Sequence, residues 1–162
     1  MTVQEIMTPA PQTCGPQSNL AEVAHLMWEA DCGIVPITDR EGKLLGVITD
    51  RDICIAAATQ DKRPSEIRAD QLPRGDVHAC HPQDEMHAAL RLMREWRVRR
   101  LPVTGSDGTL RGIISINDIV LAAGGQKQVS AVEVLDTLKD ISAHRRTLQA
   151  RESREGARAA AR

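Results

Sequence analysis

The chain has 162 residues, a formal net charge of −1 and an apolar share of 41%. That length suffices for one compact domain or two small intertwined ones with a real core, and the near-neutral charge gives no global drive toward nucleic acid or an anionic membrane. With no Phe, no Tyr and only Trp28 and Trp96, the chain also lacks the aromatic platforms on which single-strand nucleic-acid binders stack bases.

The cysteines, Cys14, Cys32, Cys54 and Cys80, form no C-x-x-C pair, and no secretory leader or long apolar run is present. The expectation is a cytoplasmic protein with free thiols and no membrane partner. His78, Cys80 and His81 are close in sequence, but on a strand 78 and 80 face one side and 81 the other. No second ligand pair is spaced to complete a metal site, so none is expected.

A shift of 66 residues aligns the chain with itself without a gap. It superposes Cys14 on Cys80, Pro36 on Pro102, Gly42 on Gly108, Gly46 on Gly112 and Asp52 on Asp118. One supersecondary unit is therefore written twice, and two such units pack most simply about a pseudo-twofold axis.

Residues 3–7 read as a short helical turn, broken by Thr8-Pro9-Ala10-Pro11 and followed by an extended segment near 12–14. Ser18, and Asp84 in the second unit, are candidate helix caps. The helices that follow place Leu20, Val23, Ala24 and Met27, then Met86, Ala89, Leu90 and Met93, on one face. Gly33 is expected to end the first, and the basic run 97–100 the second. Strands at 34–38 and 44–49, and at 101–104 and 110–115, flank short turns containing Glu41-Gly42 and Asp107-Gly108, which signal hairpins. A closing helix follows in each unit, from Asp52 to about Thr59 and from Asp118 to about Ala123, with Gly124-Gly125 as the stop.

Beyond the second unit, Ser130-Ala131-Val132-Glu133 has the form of a capping box. Ala131, Val134, Leu135, Leu138 and Ile141 or Ser142 then trace one apolar face, expected to pack on the core or on a second copy of the chain. Residues 145–162 hold six arginines, a helix-prone tail with little to bury.

The repeated feature with chemical content is the turn from the last strand into the closing helix. It reads Thr49-Asp50-Arg51-Asp52 in one unit and Ser115-Ile116-Asn117-Asp118 in the other. Unpaired backbone N–H groups at a helix start favour an anion, and a hydroxyl there donates to phosphate. An ionised carboxylate only accepts, so it suits the two hydroxyls of a ribose. The same residues are ordinary helix caps, the commoner use of such side chains, and duplication copies caps as faithfully as sites.

The segments Gly33-Ile34-Val35-Pro36-Ile37-Thr38-Asp39 with Gly42 through Ile53, and Arg100-Leu101-Pro102-Val103-Thr104 with Gly112 through Ile119, resemble two CBS domains. Ile6-Met7-Thr8-Pro9 is similar to the family's opening motif, which in the second unit has become Leu72-Pro73-Arg74-Gly75. Together they resemble a tandem CBS pair. The resemblance implies an α+β fold of two β-α-β-β-α repeats about a pseudo-twofold axis plus a C-terminal helix. The boundaries expected are repeat one at 1–60, a linker at 61–68, repeat two at 69–124, and the helix and Arg-rich tail at 125–162.

It further implies two clefts for an adenosine-type ligand such as AMP, ADP or ATP, with no cofactor required. Asp52 and Asp118 would hold ribose, and Thr49 and Ser115 would sit near phosphate. Ile34, Val35, Pro36, Arg100, Leu101 and Pro102 would line the adenine pockets with Thr13, Cys14, Ala79 and Cys80. Arg51 has the neutral counterpart Asn117; with Arg97, Arg99 and Arg100 it either covers a solvated face, the commoner fate of surface arginine, or neutralises phosphate. This asymmetry suggests clefts preferring different ligands or phosphate counts. The expected function is a regulatory sensor acting as a homodimer or through an effector protein, not an enzyme, with no nucleic-acid partner. The alternatives are a structural dimerisation module with vestigial clefts and a slow nucleotide-hydrolysing enzyme.

Overall fold

The computed structural model describes residues 1–73, 75–122 and 129–143. A 3-10 turn at Val3–Glu5 precedes β1 (Thr8–Pro9), α1 (Leu20–Glu29), β2 (Ile34–Thr38), β3 (Leu44–Thr49) and α2 (Asp50–Thr59). Further 3-10 turns at Pro64–Glu66 and Ala69–Gln71 lead into α3 (Met86–Trp96), β4 (Arg100–Thr104), β5 (Leu110–Ser115), α4 (Ile116–Ala122) and α5 (Ala131–Ser142). The mixed fold, the two repeats and the extra helix agree with the sequence reading.

The helix faces follow their periodicity. Leu20, Val23 and Met27 of α1 are buried, as are Met86, Ala89, Leu90 and Met93 of α3. The caps differ from expectation by one residue. Asn19, not Ser18, caps α1: its side chain accepts from Glu22 N at 3.0 Å, and Glu22 returns the bond to Asn19 N at 3.2 Å. The reciprocal box needs an acidic partner three residues on, which Ser18 lacks. Glu85, not Asp84, precedes α3, while Asp84 accepts from His81 N at 2.8 Å. Nor does α1 run to Gly33: Ala30 is its C-cap, and Asp31 takes a left-handed backbone (φ 46°), which Asp tolerates better than most residues.

In β2–β3 Ile34 faces Thr49, and in β4–β5 Arg100 faces Ser115, each hairpin with an irregularity near its turn. β4 thus begins one residue earlier than expected. The two hairpin tips meet: Leu44 N donates to Gly108 O at 3.1 Å, and Leu110 N to Gly42 O at 3.0 Å. Gly42 and Gly108 have φ of 79° and 80°, a backbone that side chains disfavour. The 66-residue shift exchanges these two bonds.

The lead-in of each unit packs on the other. β1 pairs with β5, not with the first hairpin, and Val3 sits fully buried among Leu90, Met93, Leu101 and Ile114. Conversely Ile67 and Ala69 belong to the core of Leu20, Val23, Val35 and Ile48. The polar stretch expected as a linker therefore carries a core residue. The bonds are symmetric: Val3 N donates to Asp84 O and Ala69 N to Ser18 O, both at 2.9 Å.

α5 packs on α3 and α4 of its own chain, burying Val134 and Thr137, with Leu138 and Ile141 half-buried against the same core. His87 and Glu133 approach to 2.7 Å, and Arg94 pairs with Asp140 at 2.8 Å. Ala131 and Leu135, expected on the buried face, point outward. Thr137 takes the centre because its hydroxyl is satisfied by Glu133 O at 2.8 Å. The expected capping box is only half made: Ser130 accepts from Val132 N at 3.3 Å, while the Glu133 carboxylate turns to His87. The Gly124-Gly125 stop and the Arg-rich tail lie outside the described residues. No helix among the described residues is long and apolar enough to cross a membrane.

Candidate functional site

The repeated turn forms a reciprocal cap in both units. α2 begins at Asp50, two residues earlier than expected, with Thr49 as its N-cap. Thr49 Oγ1 and N both donate to Asp52 Oδ2, at 2.7 and 2.8 Å, and Asp52 N donates to Thr49 Oγ1 at 3.3 Å. Ser115 and Asp118 repeat this at 2.7, 2.7 and 3.2 Å, so α4 also starts two residues early. One carboxylate oxygen, Oδ2, takes these bonds; Oδ1 remains in each case as a second acceptor.

The N–H groups at the start of α2 already have partners. Asp50 N donates to Gly33 O at 3.4 Å, Arg51 N to Asp50 Oδ1 at 2.7 Å, and Asp52 N to Thr49. An anion beside this turn must be met chiefly by side chains.

Two cavities lie where the units face each other. The first, about 550 Å³, is lined by Thr49, Asp50 and Arg51 of one unit and by residues 76–78 and 97–100 of the other. The second, about 440 Å³, is lined by Ser115, Asn117 and Asp118 of the second unit and by residues 10–12 and 30–32 of the first. The same 66-residue shift maps one lining onto the other: Thr49 onto Ser115, Arg51 onto Asn117, Ala10 onto Asp76, Gln12 onto His78 and Asp31 onto Arg97. Ile34 and Arg100, which are each other's counterparts, line both cavities.

Of the residues expected at the site, Ile34, Thr49, Arg51, Arg99, Arg100 and Pro102 border the first cavity, and Ile34, Arg100, Ser115, Asn117 and Asp118 the second. Asp52, expected at the first cleft, borders instead a third hollow of about 200 Å³ beside Leu72 and Pro73. Val35 and Leu101 are fully buried and Pro36 is buried; none of the three borders either of these two cavities, and neither do Thr13, Cys14, Ala79 and Cys80. Cys14 bridges to Ile37 and Cys80 to Val103, which draws both thiols into the cores. Burial pushes the Cys14 thiol up to about 11 and that of Cys80 to about 12.

The walls instead come from the segments just before those cysteines, 10–12 and 76–78, and from the ends of α1 and α3. The internal register could have found them, since each lies a fixed distance from a residue already paired by the repeat. His78, on the wall of the first cavity, stacks on Trp96, with ring centroids 3.5 Å apart and planes 9° from parallel. Among the described residues no group of His, Cys, Asp and Glu side chains has a metal-holding arrangement.

A family model described as the CBS domain matches residues 3–58 and again 69–125. An uncharacterised protein of Methanopyrus kandleri is 32% identical over 108 residues, which are 67% of this chain and 55% of that one, so the chain spans about half the relative's length. Among solved structures, CBSX2 in complex with AMP is 25% identical with a TM-score of 0.64, covering 75% of this chain and 94% of its own. The CBS domain pair of MJ0100 in complex with 5′-methylthioadenosine and S-adenosyl-L-methionine is 26% identical with a TM-score of 0.66, at the same coverage of 75% and 94%.

Proposed function

Because the chain belongs to the CBS-domain family and carries that domain twice, we propose that it is a regulatory module binding an adenosine-type ligand, AMP, ADP or ATP, in the two clefts between its repeats. The observation that carries this reading is the pair of cavities related by the internal repeat, each with a hydroxyl and an acidic capping turn at its edge. The adenosine ligands of the CBSX2 and MJ0100 structures support the same ligand class.

In this reading Asp52 and Asp118 keep Oδ2 for the cap and offer Oδ1 to ribose hydroxyls. Thr49 and Ser115 turn their protons from the carboxylate to a phosphate oxygen when one is present, and Ile34 and Arg100 flank the base from either side of the axis. The module works as a cytoplasmic homodimer or on an effector protein. Ligand closing the repeats together is the signal, transmitted in proportion to its preference for one arrangement over another. It is not an enzyme. The family resemblance brings binding residues rather than a nucleophile, and the buried thiols of Cys14 and Cys80 are held protonated.

A thermal-shift panel of AMP, ADP, ATP, adenosine and S-adenosylmethionine tests this. A ligand at 100 times its Kd adds roughly 2.7 kcal/mol, a rise of about 5–10 °C for a chain of this size. No shift with any of them sinks the reading and favours a structural dimerisation module, for which the mutual bonding of Thr49 with Asp52 and Ser115 with Asp118 as plain caps is the supporting observation.

A further inference from the structure

We infer that the two clefts are built for adenosine ligands of opposite tail charge: the first for an adenosine di- or triphosphate, the second for an adenosine whose 5′ substituent is uncharged or cationic. This rests on the adenosine-binding reading above and assigns the ligand class cleft by cleft.

The basis is a charge reversal at positions the fold makes equivalent. Arg97 and Asp31 both lie just past the last turn of a unit's first helix in left-handed backbone, with φ of 52° and 46°, and each lines the cavity formed with the other unit. The backbone is the same and the side-chain charge is opposite. A left-handed backbone disfavours a long side chain such as arginine and accommodates Asp readily, so local conformation does not account for Arg97. Arg51 stands where Asn117 stands in the other turn, and Arg99 where Gly33 stands. The first cleft thus presents Arg51, Arg97, Arg99 and Arg100 against Asp50 and Asp76. Counting Asp52 of the same turn still leaves the arginines in excess. The second cleft presents Arg100 against Asp31 and Asp118.

The cleft arginines are also uncommitted. Arg68, Arg94 and Arg111 have carboxylate partners at 3.0, 2.8 and 3.6 Å. Among the described residues Arg51, Arg97, Arg99 and Arg100 have none. Because the N–H groups at the start of α2 are taken, a phosphate chain in the first cleft depends on these guanidinium groups, whose forked donors suit it. In the second cleft a phosphate chain would meet Asp31 at the point where Arg97 stands in the first.

Calorimetric titration of the full chain with ATP and with adenosine, at low and at high salt, tests the assignment. The expected result is one equivalent of ATP bound, weakened by salt, with one further equivalent of adenosine taken up once ATP is saturating. Arg97→Asn lowers ATP affinity about tenfold or more without loss of melting temperature, since Asn tolerates the left-handed backbone better than Arg. Asp31→Arg opens the second cleft to ATP and raises the stoichiometry to two. The other unit already holds Arg at that backbone geometry, and Asp31→Asn, as a milder variant, raises ATP affinity at the second cleft. Two equivalent ATP sites in the unaltered chain, unchanged ATP affinity in Arg97→Asn, or a stoichiometry of one in Asp31→Arg overturns the charge assignment and leaves adenosine binding standing. Heat from neither ligand overturns both.

Discussion

Cys14 and Cys80 stand at equivalent positions, each bridged to the first strand of its unit's hairpin and buried, and burial holds their thiols protonated up to about 11 and about 12 against an ordinary value of 9.0. Above pH 9 the unfolded chain loses thiol protons that the folded chain keeps. Stability is therefore fully present below about pH 9 and falls as the pH rises through 11 to 12. The urea midpoint is expected to drop over that interval, and Cys14→Ala with Cys80→Ala to flatten the drop while lowering stability at neutral pH. With no Tyr in the chain, phenol ionisation does not obscure the profile. At pH 8 exposed Cys54 is expected to alkylate first, with Cys14 and Cys80 reacting only on unfolding; early labelling of Cys80 by mass spectrometry would contradict the burial argument.

At the scale of elements, Gly112 shows what a short strand demands of its neighbour. β1 crosses β5 at Pro9 opposite Gly112, and a Cβ there would lie 2.8 Å from the Thr8 carbonyl oxygen and 2.8 Å from Met7 Sδ. The sulfur can swing aside, but the backbone oxygen cannot. Gly112→Ala is expected to cost about 1–3 kcal/mol in chemical denaturation and to loosen β1. The capping turns belong to this scale too. Asp52→Ala and Asp118→Ala each remove a reciprocal cap, at about 0.5–2 kcal/mol. Binding measured beside stability separates roles: loss of stability with nucleotide affinity intact would leave those carboxylates as caps alone.

For the whole molecule, the exchange of lead-in segments makes the two units depend on each other. Val3 fills the second unit's core and Ile67 the first's, both fully buried. Val3→Ala removes two buried methyl groups and is expected to cost about 2–3 kcal/mol; Ile67→Ala, with more to lose, about 2–5 kcal/mol. Hydrogen exchange should show Val3→Ala raising exchange first in β4, β5 and α3, although Val3 is at the other end of the sequence. If exchange rose first in β2 and β3, the swap would be refuted. α5 adds asymmetry by covering helices of the second unit, so the units share a backbone plan but differ in what their helices face.

The sequence by itself determined the repeat, its register, the helix faces, the hairpins and the turn that pairs a hydroxyl with a carboxylate, because each is set by short-range periodicity, turn chemistry and residue identity. Thr49, Asp52, Ser115 and Asp118 could be named from it. It misplaced caps and helix starts by one or two residues, since reciprocal boxes such as Asn19 with Glu22 decide those ends. Only the tertiary structure decided which segment packs on which unit, that residues 10–12 and 76–78 rather than Cys14 and Cys80 border the cavities, and that Arg97 and Asp31 face opposite clefts from the same backbone position. Those facts arise from contacts between residues far apart in the chain, which local pattern does not encode. In the repeated turn the hydroxyl and one carboxylate oxygen form a helix cap; the second carboxylate oxygen is left for the ligand proposed above, facing arginines across the interface in the first cleft and Asp31 in the second.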